Sequence, residues 1–316
     1  MRTKIGTILL CFLLYSLHSI GQTFKVIPLG VHGGLEENNL SSYLVANKNS
    51  DHYIALDAGT LHAGMEKVPS KYLEHKNAMQ AIQENICAYF ISHPHLDHLA
   101  GLIQNAPADS KKTIYGLPFT IDAIAKHYFS WDTWANFGDM GDAPQLKKYH
   151  LEKMVAEQPT LDSASGLAVQ AFPLSHANPG KSTAFLVRNT EGKYLLYLGD
   201  TGADTIEHHS NLKDLWQYVA PLLTQHLLKG IMIEVSYPNK QSNTALFGHL
   251  KPSLLNGELQ VLSAYAGKEN LKNFPIVIVH IKPEENNEQT IKNELKKENT
   301  LQVKWIFPKQ GKVIFL

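Results

Sequence analysis

Six consecutive residues constrain this chain more than any other feature. The apolar run 86–92 ends directly in His93-Pro94-His95-Leu96-Asp97-His98, which puts four metal-ligating side chains where a buried strand emerges into a loop. Alternate residues of an extended segment point the same way, so His93 and His95 turn to one side. Asp97 and His98 enter a following helix and face a second position. One short loop thus offers ligands to two ions. A lone histidine pair is ordinarily structural, but this cluster at a strand end has no such bland reading. The chain holds 16 His against 2 Cys, so a metal site must use imidazole and carboxylate rather than thiolate. Iron–sulfur clusters and zinc fingers are excluded.

With 316 residues, 44% of them hydrophobic and 18% charged, the chain can bury a large core. Lys+Arg and Asp+Glu both total 29, so no basic surplus exists to concentrate a nucleic-acid polymer by counterion release. At the N-terminus Arg2 and Lys4 precede an apolar run at 8–17 and small or polar residues at Ser19, Gly21 and Gln22, the order of a secretory signal peptide. The run is shorter than the roughly 18 apolar residues a membrane span wants, which favours a cleaved leader over an anchor. Cys11 reads as apolar filler in that run. The expected division is a signal peptide at 1–21 and one domain at 22–316, exported to the periplasm or secreted. Cys87 would then be the only cysteine, and no intrachain disulfide could form. No other stretch is apolar and long enough to cross a bilayer, and nothing in the sequence fixes an oligomeric state, a homodimer included.

No repeat, low-complexity tract or linker divides the chain. Strand-like runs fall at 24–28, 42–45, 53–56, 86–92, 167–172, 183–187, 194–198, 230–235, 275–281, 303–307 and 313–316. Helix-like segments fall at 71–84, 97–104, 118–129, 212–228, 252–265 and 285–297, the last a charged and solvated one. Strands lead in the first half and then alternate with helices. That pattern predicts an α/β fold in which two sheets pack together under outer helices, a four-layered αββα sandwich.

The His-x-His-x-Asp-His cluster resembles the signature of the metallo-β-lactamase superfamily, and the resemblance continues in order. Asp57 in Leu56-Asp57-Ala58-Gly59 resembles the family's early aspartate, which lies near the metals and orients a ligand. His176 in Leu174-Ser175-His176, Asp200 in Leu198-Gly199-Asp200-Thr201 and His280 in Ile278-Val279-His280 match the later motifs, each after an apolar run. The resemblance implies one metal on His93, His95 and His176, another on Asp97, His98 and His280, and Asp200 shared. Two zinc ions are implied, with manganese or iron also compatible with such ligands.

The flanks narrow the resemblance. The run His93-Pro94-His95-Leu96-Asp97-His98-Leu99-Ala100-Gly101-Leu102-Ile103-Gln104-Asn105-Ala106-Pro107 is similar to the signature of the class II cyclic-nucleotide phosphodiesterases. The glycine-bearing opening at 29–44, Glu234-Val235-Ser236-Tyr237-Pro238 and Phe247-Gly248-His249-Leu250-Lys251-Pro252 resemble that branch too, although Val31-His32 departs from the small residues expected there. The resemblance implies an enzyme, a metal-dependent 3′,5′-cyclic-nucleotide phosphodiesterase acting on cAMP and perhaps cGMP. A metal-held hydroxide would attack phosphorus in line and yield a 5′-nucleotide.

Around that centre, Asp97 is also a candidate to orient the nucleophile, and His249 to protonate the departing 3′ oxygen with Glu234 orienting it. A solvated surface histidine is the bland alternative for His249. His32, Glu36, Asn38 and Asn39 are candidates to bind the substrate, or simply to shape a turn. His208 and His209 read as exposed. Phe119, Tyr128, Phe129, Trp131, Trp134 and Phe137 cluster between the motifs. Tyr128, Trp131 and Trp134 have the spacing of one helix face, which reads as core or, alternatively, as a stacking surface for a base. Competing functions on the same fold are a tRNA 3′-end nuclease and a lactone, thioester or β-lactam hydrolase. A non-enzymatic periplasmic protein binding metal or cyclic nucleotide is a third reading, disfavoured by the complete ligand set.

Overall fold

The computed structural model describes residues 22–316, so the expected leader, with Cys11, lies outside the described residues. The strands are β1 (Phe24–Gly30), β2 (Ser42–Asn47), β3 (Tyr53–Leu56), β4 (Ile86–Phe90), β5 (Lys112–Gly116), β6 (Tyr149–Lys153), β7 (Thr160–Asp162), β8 (Leu167–Ser175), β9 (Lys181–Arg188), β10 (Tyr194–Leu198), β11 (Leu228–Glu234), β12 (Pro275–Val279), β13 (Lys304–Ile306) and β14 (Ile314–Phe315). The helices are α1 (His62–Met65), α2 (Ala78–Asn85), α3 (Leu96–Asn105), α4 (Pro118–Ala123), α5 (Asp204–Glu207), α6 (Asn211–Thr224), α7 (Pro252–Ala266), α8 (Lys268–Leu271) and α9 (Asn287–Lys297).

Two seven-stranded sheets form, ordered β14-β1-β2-β3-β4-β5-β6 and β13-β12-β11-β10-β9-β8-β7. Each changes from antiparallel to parallel pairing midway: β3 to β6 run parallel in one sheet and β10 to β13 in the other. The period of two along a strand builds the layers. Ile54 and Leu56 face the opposite sheet while Tyr53 and Ala55 face helices, and Val277 and Val279 face inward while Ile276 and Ile278 face outward. Ile82, Leu99 and Ile121 of α2, α3 and α4 cover the first sheet. Leu215 and Trp216 of α6, Leu259 of α7 and Ile291 of α9 cover the second. This is the expected αββα sandwich, and among the described residues no helix is long and apolar enough to cross a membrane.

Three helices differ from the sequence reading. The segment expected as a helix from 71 becomes α2 only at Ala78, because Glu74 and His75 adopt left-handed backbone at φ 50° and 63°. Asn77 then caps the helix, its Oδ1 accepting from the Gln80 amide at 2.9 Å. The segment expected at 118–129 ends as a regular helix at Ala123, passes through one wide turn at Ile124–Tyr128, and breaks at Trp131 with φ 64°. Tyr128, Trp131 and Trp134 therefore do not form one helical face. Phe129 stacks on Tyr149, whereas Trp131 and Trp134 are exposed. The helix expected at 212–228 ends at Thr224, soon after Pro221 and ahead of β11.

Candidate metal centre

The C-terminal ends of the parallel strands converge where the two sheets meet, the usual location of sites in parallel α/β sheets. Asp57 follows β3, His93 follows β4, Asp200 follows β10, and His280 follows β12. His176 follows the antiparallel β8, and His95 is the residue from which α3 starts, carrying Asp97 and His98 in its first turn.

Three groups of potential ligand atoms result among the described residues, each within 4.8 Å of one another: His93, His95, His176 and Asp200; Asp97, His98, Asp200 and His280; and Glu234, His249 and His280 beside them. Asp200 belongs to the first two. Its Oδ2 lies 3.8 Å from Nε2 of His93 and of His176, and 3.2 Å from Nε2 of His280. Its Oδ1 lies 3.2 Å from Nε2 of His98. Nevertheless Nε2 of His93, Nε2 of His98 and Oδ1 of Asp200 are buried without a hydrogen-bond partner. Unpaired buried polar atoms are costly, and this cluster of nitrogen and carboxylate oxygen is the donor set a divalent cation satisfies. Burial works against charge on Asp200, but the imidazoles of His280 and His98 outweigh it and hold the carboxyl well below the usual range. Burial and the neighbouring His98 keep His93 well below the ordinary histidine value.

The far nitrogens of His93, His98, His176, His249 and His280 are engaged. Asp57, fully buried, accepts His98 Nδ1 at 2.8 Å, the Ser92 hydroxyl at 2.8 Å, the Ser92 amide at 2.7 Å and the Tyr197 hydroxyl at 2.5 Å. Ser92 Oγ in turn lies 3.0 Å from His93 Nδ1. Glu234, also fully buried, lies 2.8 Å from His249 Nδ1 through Oε1, and its Oε2 accepts the Ser236 hydroxyl at 2.6 Å. Ser236 Oγ lies 3.0 Å from His280 Nδ1. His176 Nδ1 is 2.8 Å from the Gly248 carbonyl. Such outer partners fix the tautomers of these five rings and direct their Nε2 atoms away from the supporting shell. Backbone turns complete the cage. Gly248 has φ 77°, and a Cβ there would fall 2.0 Å from the Ala177 amide. A Cβ on Gly33 would fall 2.1 Å from the His280 ring, while the next amide, Gly34, donates to Asp97 Oδ2 at 2.9 Å.

A cavity of about 1050 Å³ opens onto this centre, with His95, Asp97, His176, Asp200, His249 and Lys282 in its wall. His249 is buried rather than solvated, and stacks on His280 at 5.2 Å. Burial lowers its basicity, but Glu234 outweighs burial and leaves the ring above its ordinary value. At 32–39 the residues expected to bind substrate are not the ones that line the cavity. His32, Glu36 and Asn39 bond one another, and neither they nor Asn38 line the cavity; Gly34, Leu35 and Glu37 do. His208 and His209 are exposed. Of the aromatic segment, Tyr128 alone reaches toward the centre, donating its hydroxyl to the carbonyl of Pro94 at 2.7 Å and so bracing the loop between His93 and His95. Sequence reasoning missed Ser92, Tyr197, Ser236 and Lys282. Only Ser236 had a signal, two positions beyond Glu234 in an extended segment.

Fold and centre together define a metallo-β-lactamase-type protein equipped to hold divalent metal. Solved structures that share the fold include yeast PDE1, with a TM-score of 0.83 and 24% identity, covering 94% of this chain and 100% of that one, and the metallo-β-lactamase fold protein YhfI from Bacillus subtilis, with a TM-score of 0.61 and 15% identity, covering 93% and 99%. A 3′,5′-cyclic-nucleotide phosphodiesterase from Aliivibrio fischeri is 36% identical over 324 residues, covering 98% of both chains. The profile of the class-II cAMP phosphodiesterases matches residues 22–311, and the chain belongs to that family.

Proposed function

We propose that this chain is an exported, dinuclear-metal phosphodiesterase that converts 3′,5′-cyclic nucleotides, cAMP and also cGMP, to 5′-nucleotides. The observation that carries the reading is Asp200 standing between two sets of inward-directed histidines beside the cavity. Two divalent cations, zinc by preference, would neutralise the phosphate's equatorial oxygens and lower the pKa of a water nucleophile. His93, His95 and His176 would hold one, Asp97, His98 and His280 the other, and Asp200 both.

The remaining chemistry belongs to the protein. Asp97, held by the Gly34 amide, borders the cavity where it can orient the attacking water. His249 holds a proton for the departing 3′ oxygen, and Glu234 accepts from Nδ1 so that Nε2 faces the substrate. Family membership and the full-length likeness to the Aliivibrio fischeri enzyme support the substrate class. The basic and apolar residues at 1–21 support export.

The test is turnover of cAMP and cGMP by the zinc-loaded protein beside Asp97→Ala, with metal counted per chain. Release of 5′-AMP at two metals per chain, lost in the variant, is the expected result. A 3′-monophosphate product, or no turnover with both metals bound, would overturn the reading. Export is checked by the N-terminal residue of protein recovered outside the cytoplasm, expected near Gly21, and a retained leader would count against it.

A further inference from the structure

The cavity wall contains one lysine and no arginine. Lys282 lies two residues beyond His280, in a segment pinned from both sides: its amide donates to the Ser236 carbonyl at 3.2 Å, and the Gly33 amide donates to the carbonyl of Ile281 at 3.2 Å. The side chain is partly buried, with Nζ beside Gly34 and 5.8 Å from the centre of the Tyr237 ring. Its charge also bears on His249, which it makes less basic. Lysines of this kind are ordinarily either solvated or paired with a carboxylate. Lys282 has no carboxylate within 4.0 Å among the described residues, although Glu37, Asp97 and Asp200 line the same cavity.

From this placement we infer that Lys282 is a substrate-binding residue, the cation that receives the anionic phosphate and fixes which end of the nucleotide meets the metal centre. The inference rests on the phosphodiesterase reading. A cyclic nucleotide carries its single charge on the phosphodiester, while base and ribose are neutral. An ammonium fixed on one side of the centre therefore distinguishes the two ends of the ligand, at the strength of one charge-assisted hydrogen bond. Because cyclic substrate and 5′ product both carry the phosphate, the contact contributes to binding more than to the chemical step.

Lys282→Met keeps the apolar stem and removes the charge, and Lys282→Arg restores it. In Lys282→Met the KM for cAMP should rise about tenfold with kcat within about threefold. Calorimetry should show 5′-AMP affinity reduced by a similar factor, adenosine affinity unchanged, and metal content equal to that of the unmodified protein. Lys282→Arg should recover most of the loss. An unchanged KM and 5′-AMP affinity in Lys282→Met would overturn the inference, as would equal losses for adenosine and 5′-AMP. If the unmodified protein fails to turn over cyclic nucleotides, the phosphodiesterase reading falls, and the comparison of 5′-AMP with adenosine still decides the role of Lys282.

Discussion

The two sheets support the centre in parallel ways. Each places a fully buried carboxylate at the end of a parallel strand, Asp57 after β3 and Glu234 at the end of β11. Each carboxylate reaches one histidine directly and another through a serine hydroxyl: Asp57 meets His98 and, by way of Ser92, His93, while Glu234 meets His249 and, by way of Ser236, His280. The outcomes differ. Asp57 braces two of the inward-pointing rings around Asp200, whereas Glu234 braces one of them and one ring assigned to proton transfer. Under the proposed function, the same local device would serve metal affinity on one side and divide between affinity and acid chemistry on the other.

Asp200→Asn should break both sides at once. It should reduce turnover on the order of 10³-fold, the rate equivalent of several kcal/mol of metal-borne charge stabilisation, with metal per chain falling in step. Asp57→Asn and Glu234→Gln should then separate the two supports. Asp57→Asn should weaken metal affinity by about 10- to 100-fold, read by chelator competition, because a carboxylate behind a ligand raises its basicity. Glu234→Gln should spare more of the metal and instead move the alkaline limb of the kcat/KM profile to lower pH. The sign follows from His249. Its raised folded value means that the protonated ring persists above the ordinary value near 6.5, roughly, and is lost as pH climbs through the raised one. Removing Glu234 brings that loss to lower pH, and the stability contributed by the pair, fully present below the unfolded value, is forfeited with it. The smallest effect belongs to Ser92→Ala, a several-fold loss of metal affinity, since a neutral hydroxyl only relays the carboxylate. Equal metal loss in Asp57→Asn and Glu234→Gln would dissolve the contrast.

Much of this was legible in the sequence, and the limits have physical causes. Buried strands such as β3 and, beyond the half-buried Tyr194, β10 read as short apolar runs. By contrast β5, β6 and β7 escaped notice because Lys112–Gly116, Tyr149–Lys153 and Thr160–Asp162 interleave polar residues near a sheet edge. The shared pairing order of the two sheets left no sequence repeat, since it lives in the backbone. The histidine cluster at 93–98 was evident because its members are neighbours. Asp57, His176, Asp200 and His280 needed the resemblance, for each is a single polar residue ending an apolar run. Ser92, Tyr197 and Ser236 stayed hidden, as hydroxyls acquire meaning only from what the fold sets opposite them. The loop at 32–39 shows the same limit: polar side chains that seemed available to a ligand bond each other, and the backbone turns their neighbours toward the cavity.

His280 and Asp97, 3.1 Å apart, are separated by 183 positions of sequence. The cation proposed to be held by both would close a very long chain loop, and an unfolded chain cannot present such a preassembled grip. On that reading folding and ion capture would be linked equilibria. Free metal at one hundred times its dissociation constant would add about 2.7 kcal/mol to the folded state. The melting midpoint should accordingly track metal concentration, so that the ion supply of its surroundings governs the protein's lifetime as well as its rate.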